Sequence, residues 1–318
     1  MQSLSVTVVV PSYRRPDDLH ACLEALDRQH FAPDVIAVVA RPEDASTRAV
    51  ADLWGAKVVP VTRPGLAAAI EVGINAADTA LVAFTDDDAR PHSDWLARIV
   101  ATFSGNEELG FVGGRDNVRG DALAGSESLI VGAIHRGRIL GNHALGKGAA
   151  RNVDHVKGAN MAFRVSAIRG FPLADLVAGD GAQHRNELFL CWGAATRGWV
   201  GVYDPHIQVE HLPAVRGPAD DRKAVATART ALDTRNAALA ALLFLPGTRR
   251  SAVVLRAVLV GERFRPGIAW AGAARLRRLE PRASLLASLR GTAQAFIDAR
   301  AARRVLRESA WAGEGTKL

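Results

Sequence analysis

The stretch Ala80-Leu81-Val82-Ala83-Phe84-Thr85-Asp86-Asp87-Asp88 decides how this chain is read. Apolar residues follow one another from Ala80 to Phe84 with no polar alternation, the pattern of a strand buried on both faces. The run passes without a turn signal into three carboxylates. Folding alone does not ask for them, because adjacent carboxylates repel and an apolar strand end has no use for their charge. A hard divalent cation, Mg2+ or Mn2+, does: it takes oxygen ligands and bridges to phosphate oxygens. In extended backbone alternate side chains share a face, so Asp86 and Asp88 point one way and Asp87 the other. A solvated acidic turn capping the next helix is the plainer alternative. The downstream Pro91, Asp94, Trp95 and Leu96 favour a strand-to-helix passage.

Working outward, the same alternation repeats. Val6 to Val10 reads as a buried strand stopped by Pro11. Asp17 or Asp18 then suits the N-cap of a helix carrying Leu19, Cys22, Leu23 and Leu26 at helical spacing. Val35–Val39 and Lys57–Val61 are further strands, and Ser46–Trp54, Gly65–Ala77 and His92–Phe103 are helices. Strands of this kind alternating with helices predict an α/β fold with a mostly parallel central sheet flanked by helices. Ligands in such sheets bind beyond the carboxyl ends of the strands. Pro11-Ser12-Tyr13 and Asp86-Asp87-Asp88 therefore belong to one edge.

The remainder is less regular. Gly110 to Lys157 reads as strand fragments and a long mobile loop. Its His135, His143 and His155 fit no zinc spacing and are expected to be solvated. Gly158–Phe163 is a short element, and Asp180 sits in a Gly179-Asp180-Gly181 turn. Asn186–Thr196 is a helix. Trp199–Tyr203 is a strand ended by Asp204-Pro205, and Ile207–Val209 leads into Glu210-His211. Residues 220–245 form a helix with an apolar end.

Composition bounds the possibilities. The chain has 318 residues, 48% apolar and 23% charged, which suits one large domain or a domain with an appendage. Two cysteines, Cys22 and Cys191, make no disulfide framework and read as buried thiols. No secretory signal opens the sequence and no apolar run approaches the ~20 residues that span a bilayer. A cytoplasmic protein is expected, peripheral at most to the inner membrane face. Residues 1–246 carry 25 Lys/Arg against 28 Asp/Glu, while residues 247–318 carry 15 against 5. The positive excess thus belongs to the tail, where 249–310 reads as Arg-rich amphipathic helices broken at Pro266-Gly267 and Pro281. Such helices lie on an anionic membrane surface or pack on the preceding domain. Nucleic acid is not an expected partner, since aromatics are few and no binding module is present.

Four segments in order resemble the inverting family 2 glycosyltransferases. They are Val8-Val9-Val10-Pro11-Ser12-Tyr13-Arg14-Arg15-Pro16, then Ala83 to Pro91 with Asp94-Trp95-Leu96, then Lys157-Gly158-Ala159-Asn160-Met161-Ala162-Phe163-Arg164, then Asn186-Glu187-Leu188 with Gly198-Trp199, Tyr203-Asp204-Pro205 and His211. The resemblance implies an A-type glycosyltransferase fold over 1–215, with a nucleotide-binding half to about 115 and an acceptor half over 116–215. Residues 216–318 would form a helical basic extension. It implies transfer of a sugar from a nucleotide-diphosphate donor to a glycan or lipid-linked acceptor, without processivity, in cell-envelope or exopolysaccharide assembly. Pro11, Ser12, Tyr13 and Arg14 would border the nucleotide, with Asp44, Asp86 and Asp87 also on the donor side. Asp86, Asp88 and His211 would hold the metal. Glu187 stands at the family's catalytic carboxylate, with Asp180 as its rival. The family's paired aspartates after the second strand are replaced by Arg41-Pro42-Glu43-Asp44, which leaves the base open. A sugar nucleotidyltransferase and a donor-binding scaffold without turnover are the competing readings.

Overall fold

Unbroken apolar runs become interior strands because both of their faces need dry neighbours. The computed structural model describes residues 4–118, 127–212, 226–279 and 283–312. It opens with β1 (Val6–Pro11), α1 (Pro16–Asp27), β2 (Val35–Ala40), α2 (Ala45–Leu53), β3 (Lys57–Pro60), α3 (Leu66–Ala76) and β4 (Leu81–Phe84). These strands are parallel and lie in the order β3-β2-β1-β4. Along β1, Val8 and Val10 join one core layer and Val9 the other. The N-cap of α1 is Arg15, not an aspartate: Pro16 takes the first turn, and Asp17 and Asp18 follow it. Proline is pre-set for that position, and the two carboxylates favour the positive end of the helix dipole.

The chain continues through β5 (Ala89–Pro91), α4 (Trp95–Ser104), β6 (Leu109–Val118), β7 (Ala133–His135), β8 (Arg138–Leu140), β9 (Arg151–Asn152) and β10 (Met161–Arg164). Short helices α5 (Val165–Ile168) and α6 (Leu173–Leu176) precede α7 (Asn186–Thr196) and β11 (Val200–His211). The sheet extends as β4-β10-β6-β11-β5, with β9 also on β11. Strand β10 is antiparallel to both β4 and β6, and β11 is parallel to β6. β1, β2, β3, β4, β6 and β11 therefore all run one way, and the sheet is mostly parallel.

Two strands correct the sequence reading. The stretch from Gly110, taken for fragments and loop, opens with the 10-residue β6 in the sheet interior. Its glycines are there for close approach: a Cβ on Gly114 would collide with the Ile207 backbone. β11 does not end at Asp204-Pro205. It runs 12 residues to His211 with a register shift between Asp204 and Gln208, where Pro205 has no ladder bond to break.

The C-terminal part adds α8 (Ala226–Phe244), α9 (Gly247–Leu259), the hairpin β12 (Gly261–Glu262) and β13 (Arg265–Pro266), α10 (Ile268–Leu276) and α11 (Leu285–Glu308). α8 and α11 cross closely, since a Cβ on Gly291 would collide with the Ala231 carbonyl. Both join the core layer of α3 and α7, while α1 and α4 cover the opposite face of the sheet. Trp311, 1% exposed, closes that layer against Phe171, with ring centroids 4.9 Å apart. The expected boundary near 215, the start of the helix expected from 220, part of the expected loop at 119–126 and the expected break at Pro281 lie outside the described residues. Cys22 and Cys191 are buried free thiols. Among the described residues no helix is long and apolar enough to cross a membrane.

Candidate active site

The carboxyl ends of β1 and β4 lie side by side, and their side chains meet there. Ser12 Oγ donates to Asp87 Oδ2 at 2.9 Å, and Arg15 Nη1 stands 3.2 Å from Asp87 Oδ1. The same guanidinium is 3.7 Å from Asp88 Oδ2. Asp87 thus faces the Pro11–Arg15 turn, while Asp86 and Asp88 face His211, the last residue of β11. Strand β5 turns back immediately after the triplet and pairs Ala89 with His211. The Leu212 N–H also donates to the Asp88 carbonyl at 2.9 Å. One potential ligand atom from each of Asp86, Asp88 and His211 fits within 4.8 Å of the others.

His211 is held from behind. Its Nδ1 lies 3.1 Å from Oδ1 of Asp116, a fully buried residue on β6. Lys157 Nζ ion-pairs with the other oxygen of Asp116. The Nε2 atom faces Asp88 Oδ1 at 3.2 Å, an ion pair when the ring is charged. An imidazole oriented by a carboxylate through one nitrogen, with the other nitrogen turned toward two carboxylates, fits a divalent cation once the ring gives up its proton. Asn160 braces the frame: its amide nitrogen donates to the Arg115 and Ile207 carbonyls, and its oxygen accepts from Trp95 Nε1 at 2.9 Å.

The charges are crowded. Burial, with Asp88 and Asp116 adding to it, pushes Asp86 up to about 6. Burial likewise raises Asp87 to about 6, although Arg15 and Ser12 oppose it. For His211 burial opposes the charged form, yet the carboxylates of Asp116, Asp88 and Asp86 outweigh it and raise the ring to about 10. Asp116 is held below the usual carboxylate range because His211 and Lys157 overcome its burial.

On the other side of the triplet, Tyr13 is 46% exposed. The Arg14 and Arg41 guanidiniums lie 5.0 and 6.0 Å from its ring centre. Arg14 takes a left-handed φ of 56°, and its N–H donates to Asp44 Oδ2 at 2.5 Å. Asp44 also caps α2, accepting from Thr47 N, Thr47 Oγ1 and Ser46 Oγ. With four donors on one buried carboxylate, Asp44 shapes the Tyr13–Arg14 turn.

Glu187 sits half-buried in the first turn of α7, and burial raises it above the usual carboxylate range against the pull of Arg185. Arg185, the N-cap of that helix, pairs with Asp233 of α8 at 3.0 Å. Asp180 is exposed in its bend. His143 and His155, expected in a solvated loop, are instead buried with rings 5.4 Å apart, and only His135 is exposed. Tyr203 Oη donates to the His143 carbonyl at 2.7 Å, which draws the segment onto β11. Asp116 and Arg15 escaped the sequence reading as site residues. Asp116 is a carboxylate at a strand's carboxyl end, and would have been visible had Gly110–Gly114 been read as strand.

The profile of glycosyl transferase family 2 matches residues 7–170, from β1 through α5. The chain belongs to that family. The chain is 29% identical to glycosyltransferase AglE of Haloferax volcanii over 108 residues, 31% of this chain and 36% of that protein. It is 34% identical to an uncharacterized glycosyltransferase of Mycobacterium bovis over 105 residues, 33% of this chain and 46% of that one. The match thus spans less than half the length of these curated relatives. Among solved structures, a mannosyltransferase from Pyrobaculum calidifontis in complex with GDP-Man and Mn2+ superposes with TM-score 0.56 at 18% identity, over 94% of this chain and 88% of that one. Glucosyl-3-phosphoglycerate synthase from Mycobacterium tuberculosis, in complex with Mg2+ and UDP, gives TM-score 0.50 at 17% identity, covering 73% and 79%. At such identities the likeness is one of fold, and the fold is that of the A-type nucleotide-sugar transferases.

Proposed function

We propose that this glycosyltransferase moves a sugar from a nucleotide-diphosphate donor to an acceptor hydroxyl with inversion, using Mg2+ or Mn2+ held by Asp86, Asp88 and His211. The observation that carries the reading is the convergence of Asp86, Asp88 and His211, with the ring of His211 aligned by Asp116 and its Nε2 turned toward Asp88. Bound there, the cation would neutralise charge developing on the departing diphosphate. Tyr13, with Arg14 and Arg41 beside it, offers a stacking face for the nucleotide base, and Pro11 and Ser12 border the same edge. Asp87 fixes that edge through Ser12 and Arg15. Glu187 is the general base: its burial favours the neutral form, moving it toward the working range of a base at neutral pH. A single displacement by a hydroxyl activated this way inverts the anomeric centre. The complexes of the two fold neighbours support this class of donor and metal, and leave the sugar open. A glycan or lipid-linked acceptor in cell-envelope assembly suits the family and the basic C-terminal part.

The test is thermal unfolding against nucleoside diphosphates and nucleotide sugars, each with and without Mn2+. One nucleotide should raise the melting temperature by several degrees only with metal, as mass action requires, and Asp88→Ala should abolish that rise. Glu187→Gln should keep the rise and lose turnover by about 10²-fold or more. A folded protein indifferent to every nucleotide would sink the proposal.

A further inference from the structure

The C-terminal part exposes a surface that sugar transfer, as derived above, does not use. Arginines and large apolar side chains alternate along residues 255–279, across α9, the β12–β13 hairpin and α10. Leu255 and Leu259 stand one turn apart on α9, both more than half exposed, while Val253 faces inward. Phe264 at the hairpin turn is 61% exposed, and Leu276 at the end of α10 is 87% exposed. Ile268 and Leu279 are also exposed. Arg263, Arg275, Arg277 and Arg278 lie among them, exposed and without an ion pair to any described residue. Residues 247–279 hold 8 arginines and a single acid, Glu262, which is itself paired with Arg265 and Arg138.

This combination selects its partner. Solvated leucines and a phenylalanine between exposed guanidiniums match a bilayer interface, where acyl chains take the first and anionic headgroups the second. A second copy of the chain fits poorly, because a two-fold contact would set these arginines against each other. The surface also stands close to the acceptor side. The inner side of the hairpin reaches Asp233 through Arg265 Nε at 3.5 Å. Asp233 holds Arg185, the cap of the helix that carries Glu187.

We propose that residues 255–279 form a docking surface for an anionic phospholipid bilayer, seating the acceptor side of the site against the membrane so that a lipid-linked hydroxyl reaches it in place. The docking stands on this surface alone, whereas the acceptor clause rests on the function proposed above. Co-sedimentation of the full chain with vesicles, without donor or metal, tests it. Binding is expected to equimolar phosphatidylglycerol and phosphatidylcholine, at least tenfold weaker to phosphatidylcholine alone, and reduced by salt. Arg277→Gln and Arg278→Gln should each weaken it by about fivefold. Phe264→Ser with Leu276→Ser should weaken it further, with an unchanged melting temperature because both side chains are exposed. Asp88→Ala should bind vesicles like the wild type, which separates failure of docking from failure of the donor site. No binding to anionic vesicles, or binding indifferent to these variants, overturns the proposal. So does a dimer in light scattering that the Phe264→Ser, Leu276→Ser protein loses while wild type ignores vesicles, since the face then belongs to a second copy.

Discussion

Asp116 meets the Asp86, Asp88 and His211 cluster through His211, and it decides what that histidine can do. It fixes the ring with Nδ1 inward and leaves Nε2 toward Asp88. Such a carboxylate acts by orienting the imidazole and raising its basicity. Asp116→Asn keeps the shape of the side chain but removes the charge that Lys157 and His211 share. Mn2+ affinity, measured by titration calorimetry, should fall about 10–100-fold. An unchanged affinity would mean that His211 is not a ligand. The sequence exposed half of this machinery. Three adjacent aspartates after an apolar strand ask for a counter-charge, and that demand is written locally. Asp116 was hidden because its partners, Lys157 and His211, are distant in sequence and meet it only through the pairing of β6 with β11. Asp44 has a structural part that the sequence did not announce. It stands near the donor edge, but its lone pairs serve the α2 cap and the Arg14 turn.

Among the elements, the parallel βαβ start was legible because period and breaker residues agree from Val6 to Phe84. The second half was not, because its strands break local rules to meet tertiary needs. Gly113 and Gly114 weaken β6 by propensity and yet admit Val156 and Ile207 against its backbone. The segment between β8 and β10 reads as polar and is nonetheless buried at His143 and His155. Burial holds both rings neutral, lowering His143 to about 4 and His155 well below the ordinary 6.5. The unfolded chain takes up these protons near 6.5, whereas the folded one resists. Stability from this pair is therefore complete above about 6.5 and declines as pH falls toward 4, by roughly 3 kcal/mol for His143 alone. Urea midpoints at pH 7 and pH 5 check this: the wild type should lose more stability between them than His143→Gln does. Equal losses would place the acid sensitivity elsewhere.

Across the whole molecule, the basic C-terminal part divides in two. α8 and α11 belong to the core, whereas α9 reaches it through Val253 and most of the α9–α10 segment lies outside it. Composition alone blends them, since alanines at helical spacing on α11 (Ala295, Ala299, Ala302) are buried although arginines surround them. Trp311 is the keystone of this closure, with its Nε1 donating to the Ala167 carbonyl at 2.9 Å and its ring packed on Phe171 and Phe244. Trp311→Ala should cost about 3–5 kcal/mol, read as a lowered denaturant midpoint. A loss below about 1 kcal/mol would show that Trp311 does not anchor this end of the chain to the fold. The two faces of the sheet also differ in when they can be finished. Among the described residues the buried members of the layer against α1 and α4 run from Val6 to Val209, whereas those of the other run from Val9 to Trp311. On a ribosome the first layer can consolidate while the second is still short of its last helix. Until α11 and Trp311 emerge, the sheet presents one sealed side and one open, apolar side to the chaperones of the cell.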